Sequence, residues 1–145
     1  MKNYQGFTLI ELLVTISIAA VVAGAVFIFL NPLGLYAQAR NNQRITHINI
    51  IASAVRGRIT DNHGVFEANC SNGPLPTSTT QMGSGAGNYN IEPCLVPVYL
   101  SVMPVDPVNG ASAATGYNII YSTTTRQFTL SAPNAELNKT ISVTR

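Results

Sequence analysis

Charge is what this chain has least of. Eight of its 145 residues are Lys or Arg and six are Asp or Glu, 10% in all, where soluble domains carry about 25%. The net charge of +2 falls to +1 without Lys2. That argues against a dedicated nucleic-acid surface, which would show a concentrated basic stripe. Histidine is also scarce: His47 and His63 have no second histidine at i, i+4, and HExxH is absent. Cys70 and Cys94 lack CxxC spacing, which argues against zinc. Neither GxSxG nor GxxxxGK[ST] occurs, and no Ser/His/Asp set can be nominated from spacing. Gly83-Ser84-Gly85-Ala86-Gly87 is glycine-rich, but it lies in a low-complexity loop and not between a strand and a helix. The sequence calls for no cofactor and no enzyme activity.

What the chain does have is concentrated at its start. A short polar, basic leader ends at Gly6. The next 24 residues, 7–30, carry Glu11 as their only charge. As a helix they span ~36 Å, enough for a ~30 Å hydrocarbon core. A carboxylate inside such a segment costs roughly 2.5–3.5 kcal/mol on insertion scales, so it asks for a partner. Ala23-Gly24-Ala25 imitates a signal-peptide cleavage site, yet the apolar run continues past it, and Glu11 would serve nothing in a discarded peptide. A plain single-pass anchor fits the length but leaves Glu11 and the Gly6-Phe7 junction unexplained.

Gly6-Phe7-Thr8-Leu9-Ile10-Glu11-Leu12-Leu13 resembles the cleavage and assembly motif of the type IV pilin family, which includes the pseudopilins of type II secretion and competence systems. The resemblance implies that a prepilin peptidase cuts after Gly6 and methylates the new amino terminus at Phe7, leaving a 139-residue chain. It also implies that Glu11 meets the terminal amine of a neighbouring subunit. The spacing suits that role. Glu11 follows Phe7 by four residues, so carboxylate and terminus share one helix face. An unpaired partner of a buried ion pair is costly, so the pair would penalise stacking offsets that leave charges unmatched.

Beyond residue 30, Pro32 and Gly34 predict a kink or an unwound stretch at 31–34. Helix is expected again over 36–59, with Ile45, Ile48, Ala52, Val55 and Ile59 as its apolar stripe. Arg40, Asn42, Thr46, Asn49, Ser53 and Arg56 fall on the wetter side. Arg40 and Arg44, spaced i, i+4, could meet acidic groups of neighbouring subunits or form a solvated face. Arg40, Arg44, Arg56 and Arg58 are the candidates for a nucleic-acid contact, against which a net charge of +1 without Lys2 supplies little electrostatic drive. Thr60-Asp61-Asn62-His63-Gly64 stops the helix.

Residues 65–94 read as loop, and their Gly/Ser/Thr-rich middle is expected to be mobile and exposed. Cys70 and Cys94 lie beyond the anchor, which implies export into an oxidising space, so they are expected to pair; two free buried thiols are the alternative. Asn69-Cys70-Ser71 and Asn138-Lys139-Thr140 match the N-x-[ST] pattern. Residues 95–107 loosely resemble a linker of many pilins and pseudopilins: Tyr99-Leu100, then Pro104-Val105-Asp106-Pro107. Asp106 and Asn109 are a calcium candidate by resemblance to some major pseudopilins, against ordinary turn chemistry. Strands are expected at 117–121, 127–131 and 140–144 from period-2 alternation. Both cysteines precede the sheet, unlike many pilins whose disulfide lies near the C-terminus.

The expected architecture is α+β, type IV pilin-like: a long N-terminal helix packed on a small three-stranded antiparallel sheet. Its parts are a leader (1–6), a membrane or filament-core half (7–34), an amphipathic half (35–63), an αβ-loop (64–115) and a sheet (116–145). The resemblance implies a pilus subunit, held singly across the cytoplasmic membrane and then polymerised with copies of itself into a surface filament. An assembly platform and an ATPase would act on it. The alternatives are a pseudopilin of a secretion or DNA-uptake machine, and a stand-alone membrane-anchored binding domain.

Overall fold

The structure, a computed structural model, describes residues 6–145, with the side chains of residues 28–30 outside that description. Residues 1–5 of the expected leader lie outside the described residues. Two compact units are present, one ending at Tyr36 and one comprising Ala37–Arg145.

The first unit is built on α1 (Leu9–Leu30). Leu, Ile, Val and Ala dominate it, and it has no polar face to turn toward water. Every described side chain from Phe7 to Phe27 is exposed, so this chain covers none of that surface. By length and composition the helix can cross a membrane. Its hydroxyls need no outside partner: Thr15 Oγ1 donates to the Leu12 carbonyl and Ser17 Oγ to the Leu13 carbonyl, each at 2.8 Å.

Asn31 takes the left-handed conformation (φ 40°) that ends α1. Its carbonyl and side-chain Oδ1 then accept the N–H of Gly34 at 3.0 and 3.3 Å, so it also caps α2 (Pro32–Asp61). The predicted interruption at 31–34 thus comes down to Asn31. Pro32 opens the new helix, where its missing N–H costs nothing, and Gly34 sits in its first turn.

In the second unit, α2 buries Ala37, Asn41, Arg44, Ile48, Ile51, Ala52, Val55 and Arg58. This 4-3-4-3 stripe differs from the expected one at its start. Ile45 remains 41% exposed, whereas Arg44 is 1% exposed. The helix ends where Gly64 N–H reaches back to the Ile59 carbonyl at 2.8 Å, with His63 and Gly64 at positive φ.

Four strands follow, not three, in one antiparallel sheet of order β1-β2-β3-β4: β1 (Thr80–Gln81), β2 (Asn118–Ser122), β3 (Gln127–Ser131) and β4 (Ser142–Thr144). A short helix α3 (Glu92–Leu95) lies between β1 and β2. Ile119 pairs with Leu130, and Leu130 with Val143. The inner face carries Ile119, Phe128, Leu130 and Ile141 into one core with Ile48, Ile51, Ala52 and Val55 of α2. The observed class is the expected α+β.

The added strand comes from the stretch expected to be mobile. Leu75 and Met82 there are buried. Met82 N–H donates to Tyr117 O at 2.8 Å, and its carbonyl accepts from Thr115 N–H and Oγ1. Small residues permit close backbone approach and do not only signal looseness. A Cβ on Gly83 would stand 2.3 Å from the Ala113 carbonyl oxygen. Cys70 and Cys94 are joined in a disulfide that closes this region.

Candidate functional site

Gly6, Phe7, Thr8 and Glu11 lie at the expected processing point. Gly6 is exposed, with room among the described residues for a side chain at its position, and Phe7 is 80% exposed. Thr8 is the N-cap of α1, its Oγ1 accepting the Glu11 N–H at 3.3 Å. Thr-x-x-Glu is the capping-box pattern, in which the glutamate side chain would return to the cap N–H. Here only the threonine half forms among the described residues, and the Glu11 side chain is exposed. A carboxylate in the first turn complements the helix dipole. Among the described residues no cation pairs with it.

The head has a second polar constellation, centred on Arg44, a residue expected at a solvated face or a subunit contact. Arg44 donates Nε to Asp106 Oδ2 at 2.7 Å and Nη2 to Asp106 Oδ1 at 3.2 Å. Its Nη1 reaches Glu136 Oε1 at 2.8 Å and Asn41 Oδ1 at 3.1 Å. Arg40 holds the same Glu136 carboxylate through Nε, at 2.7 Å. Asn41 clasps the Glu136 backbone, donating Nδ2 to its carbonyl at 2.8 Å and accepting its N–H at 2.9 Å. Arg40 and Arg44 therefore spend their charge inside the chain. The readings of a solvated face or of acidic groups on neighbours fail for Arg44, which is buried.

Asp106 was the calcium candidate, and the structure gives its carboxylate other work. Besides Arg44, it accepts the N–H of Val108 at 3.0 Å and of Asn109 at 3.2 Å. Asn109 itself is exposed. Among the described residues no group of three or more His, Cys, Asp or Glu could hold a metal. Burial pushes the Asp106 carboxyl up, but Arg44 and the two N–H donors outweigh it and leave the group below its ordinary range. Arg40 first, then Arg44, hold the Glu136 carboxyl down to about 2.

Arg58 is the third arginine that the fold takes inward. Its Nε donates to Phe66 O and its Nη1 to Cys94 O, both at 2.7 Å, while Nη2 reaches Ala68 O. The guanidinium also lies 5.6 Å from the Phe66 ring centroid. It ties the end of α2 to both ends of the disulfide-closed loop. Of the four arginines offered for nucleic acid, only Arg56 is exposed; Arg40 is half-buried and ion-paired.

Elsewhere the head offers little convergent chemistry. A shallow groove beside α2 is lined by Ile45, Thr46, Asn49, Ser53 and Tyr99. Its three polar side chains turn back to carbonyls four residues earlier. His47 Nδ1 and the Tyr117 hydroxyl share a 2.8 Å hydrogen bond under the sheet. Sequence spacing had no signal for this pair or for the Arg44 cluster, since their partners lie 62 to 96 residues away.

Residues 1–27 match the family model of the prokaryotic N-terminal methylation motif. No curated protein and no solved structure matches the chain. The match covers the expected leader, the Gly6-Phe7 junction and most of α1, and it leaves the head to be read from its own residues. The matched motif, running into a helix long and apolar enough to cross a membrane, supports a type IV pilin-like or pseudopilin precursor.

Proposed function

We propose that the chain is a structural subunit of a type IV pilus, stored in the cytoplasmic membrane and polymerised through α1. One observation carries the reading. The methylation motif runs directly into a 22-residue helix whose described apolar side chains are left uncovered by this chain. Lipid satisfies that surface before assembly and the same helix of neighbouring copies satisfies it afterwards. Because both surroundings are apolar, transfer between them needs no large change in solvation.

In this reading residues 1–6 are a leader. Prepilin peptidase hydrolyses the Gly6-Phe7 bond, and the new Phe7 amine is methylated. The cut leaves the Thr8 cap intact and puts an ammonium on Phe7, one residue before that cap. Glu11, with its capping role half made, accepts that ammonium from another copy. Segment 7–34 forms the filament core, 35–63 the helix that carries the head, and 64–115 with 116–145 the outer surface. The assembly platform and ATPase that would drive polymerisation are outside this chain.

Co-expression with prepilin peptidase tests the first step. Intact mass and N-terminal sequencing should give methyl-Phe at position 7. A chain of unchanged mass would refute processing and favour a stand-alone anchored domain. Glu11→Ala should insert in the membrane at wild-type levels yet yield no filaments by electron microscopy; normal filaments would remove its register role. Long surface filaments containing the chain support a pilin, whereas short assemblies confined to a secretion or uptake machine support a pseudopilin.

A further inference from the structure

Two short segments of the head share a sequence pattern, and each closes a tight turn with an asparagine at its third position. Glu67-Ala68-Asn69-Cys70-Ser71 and Glu136-Leu137-Asn138-Lys139-Thr140 each read Glu-x-Asn-x-Ser/Thr. In both, the glutamate carbonyl accepts the N–H three residues on, closing a tight turn: Cys70 to Glu67 at 3.0 Å and Lys139 to Glu136 at 3.2 Å. Each asparagine occupies the third turn position at left-handed φ, 57° for Asn69 and 54° for Asn138. Asparagine tolerates that conformation better than other residues with a side chain.

The chemistry of the two turns is also alike. Asn69, Asn138, Ser71 and Thr140 are all exposed. Among the described residues their amides and hydroxyls make no hydrogen bond, whereas the amides of Asn41, Asn62 and Asn88 donate to carbonyls of the chain. The 136–139 turn also carries a local cost. Leu137 has φ 58° and is 52% exposed, a conformation that a branched side chain disfavours. It is held by the Arg40, Asn41 and Arg44 contacts to Glu136. The clamp thus fixes one end of a turn whose outer side displays Asn138.

We infer that Asn69 and Asn138 are acceptors for an N-linked glycan. An N-x-Ser/Thr site on a surface turn of an exported domain has the required chemistry. A bond forms between asparagine Nδ2 and the anomeric carbon of the sugar. The bond from that carbon to the phosphate of a polyprenyl-diphosphate-linked oligosaccharide breaks, and the diphosphate leaves with the electron pair. The amide gives one proton to a base of the transferase, and nothing is oxidised or reduced. The glutamate two residues before each acceptor gives a transferase the same charged feature to read at both sites. The inference rests on the proposed function only in needing the head to be exported.

The test expresses the full chain in a bacterial host that makes a polyprenyl-diphosphate-linked oligosaccharide and an asparagine-directed transferase. Intact mass and peptide fragmentation read the product. Two glycan increments are expected, one on the peptide with Asn69 and one on that with Asn138. Asn138→Gly, which keeps the left-handed turn, removes one increment, and Asn69→Gly removes the other. Thr140→Ala loses the Asn138 glycan while leaving the amide in place. An increment missing from one asparagine overturns the assignment there. An unmodified chain with its Cys70–Cys94 disulfide formed overturns the inference and leaves the pilus reading standing. An unmodified chain with free thiols overturns both.

Discussion

Asp106→Asn is the perturbation that most directly probes how the head is held together. Arg44 and Asp106 side chains are 1% and 0% exposed, so the guanidinium has little water to fall back on. Replacing the carboxylate with an amide keeps the shape but leaves a buried cation whose remaining carboxylate contact is the half-buried Glu136. Breaking one side of a buried pair costs about 3–5 kcal/mol, a large share of the ~5–15 kcal/mol that stabilises a typical domain. For a head of this size that lowers Tm by roughly 10–20 °C. The double replacement Arg44→Met with Asp106→Leu removes both charges and should fall much closer to wild type. Thermal unfolding of the full chain in detergent, followed by near-UV circular dichroism, measures both. A single variant within ~1 kcal/mol of wild type, or a double variant worse than the single, would refute the reasoning.

Other outcomes follow from the same geometry. The Glu136 carboxyl sits at about 2 when folded and near 4.3 when unfolded, so the unfolded chain binds more protons in that window. Stability contributed by the clamp is therefore full above pH ~4.5 and lost as pH falls toward 2; Glu136→Gln should flatten that limb of the pH–Tm curve. His47 is lowered chiefly by burial, against the Val105 carbonyl and Asp106. It adds an earlier loss that begins as pH falls below about 6.5, and His47→Gln should remove that step. Arg58→Met orphans the carbonyls of Phe66, Ala68 and Cys94 and should cost on the order of 3 kcal/mol. Hydrogen exchange should rise most around residues 66–70. Reducing the Cys70–Cys94 bridge, 24 residues apart in sequence, should cost roughly 3–4 kcal/mol by chain entropy, read as a fall in Tm.

The arginines show where linear reasoning stopped. Period and composition put Arg44 and Arg58 on a helix that needs a wet side, and an arginine is the ordinary occupant of one. Whether a guanidinium faces in depends on acceptors that arrive from Asp106, Glu136 and the carbonyls of residues 66, 68 and 94. No local pattern announces them. The glycine-rich stretch misled for a related reason: Gly83 marks a close backbone approach to Ala113, which reads the same in one dimension as a flexible loop.

The stem was legible along the chain, because everything that defines it is local. The Gly6-Phe7 junction, Thr8 and Glu11 within one turn, the apolar length of α1 and the helix break beside Pro32 all depend on residues within a few positions of one another. The strand alternation at 117–121 and 127–131 was legible for the same reason. The head's interior came from three-dimensional packing: the fourth strand, the inward arginines, the ion cluster that occupies Asp106, and the clamp that holds the 136–139 turn. Those features depend on desolvation and on partners far along the chain. A charge stays in water or goes inside according to what the rest of the fold brings to it.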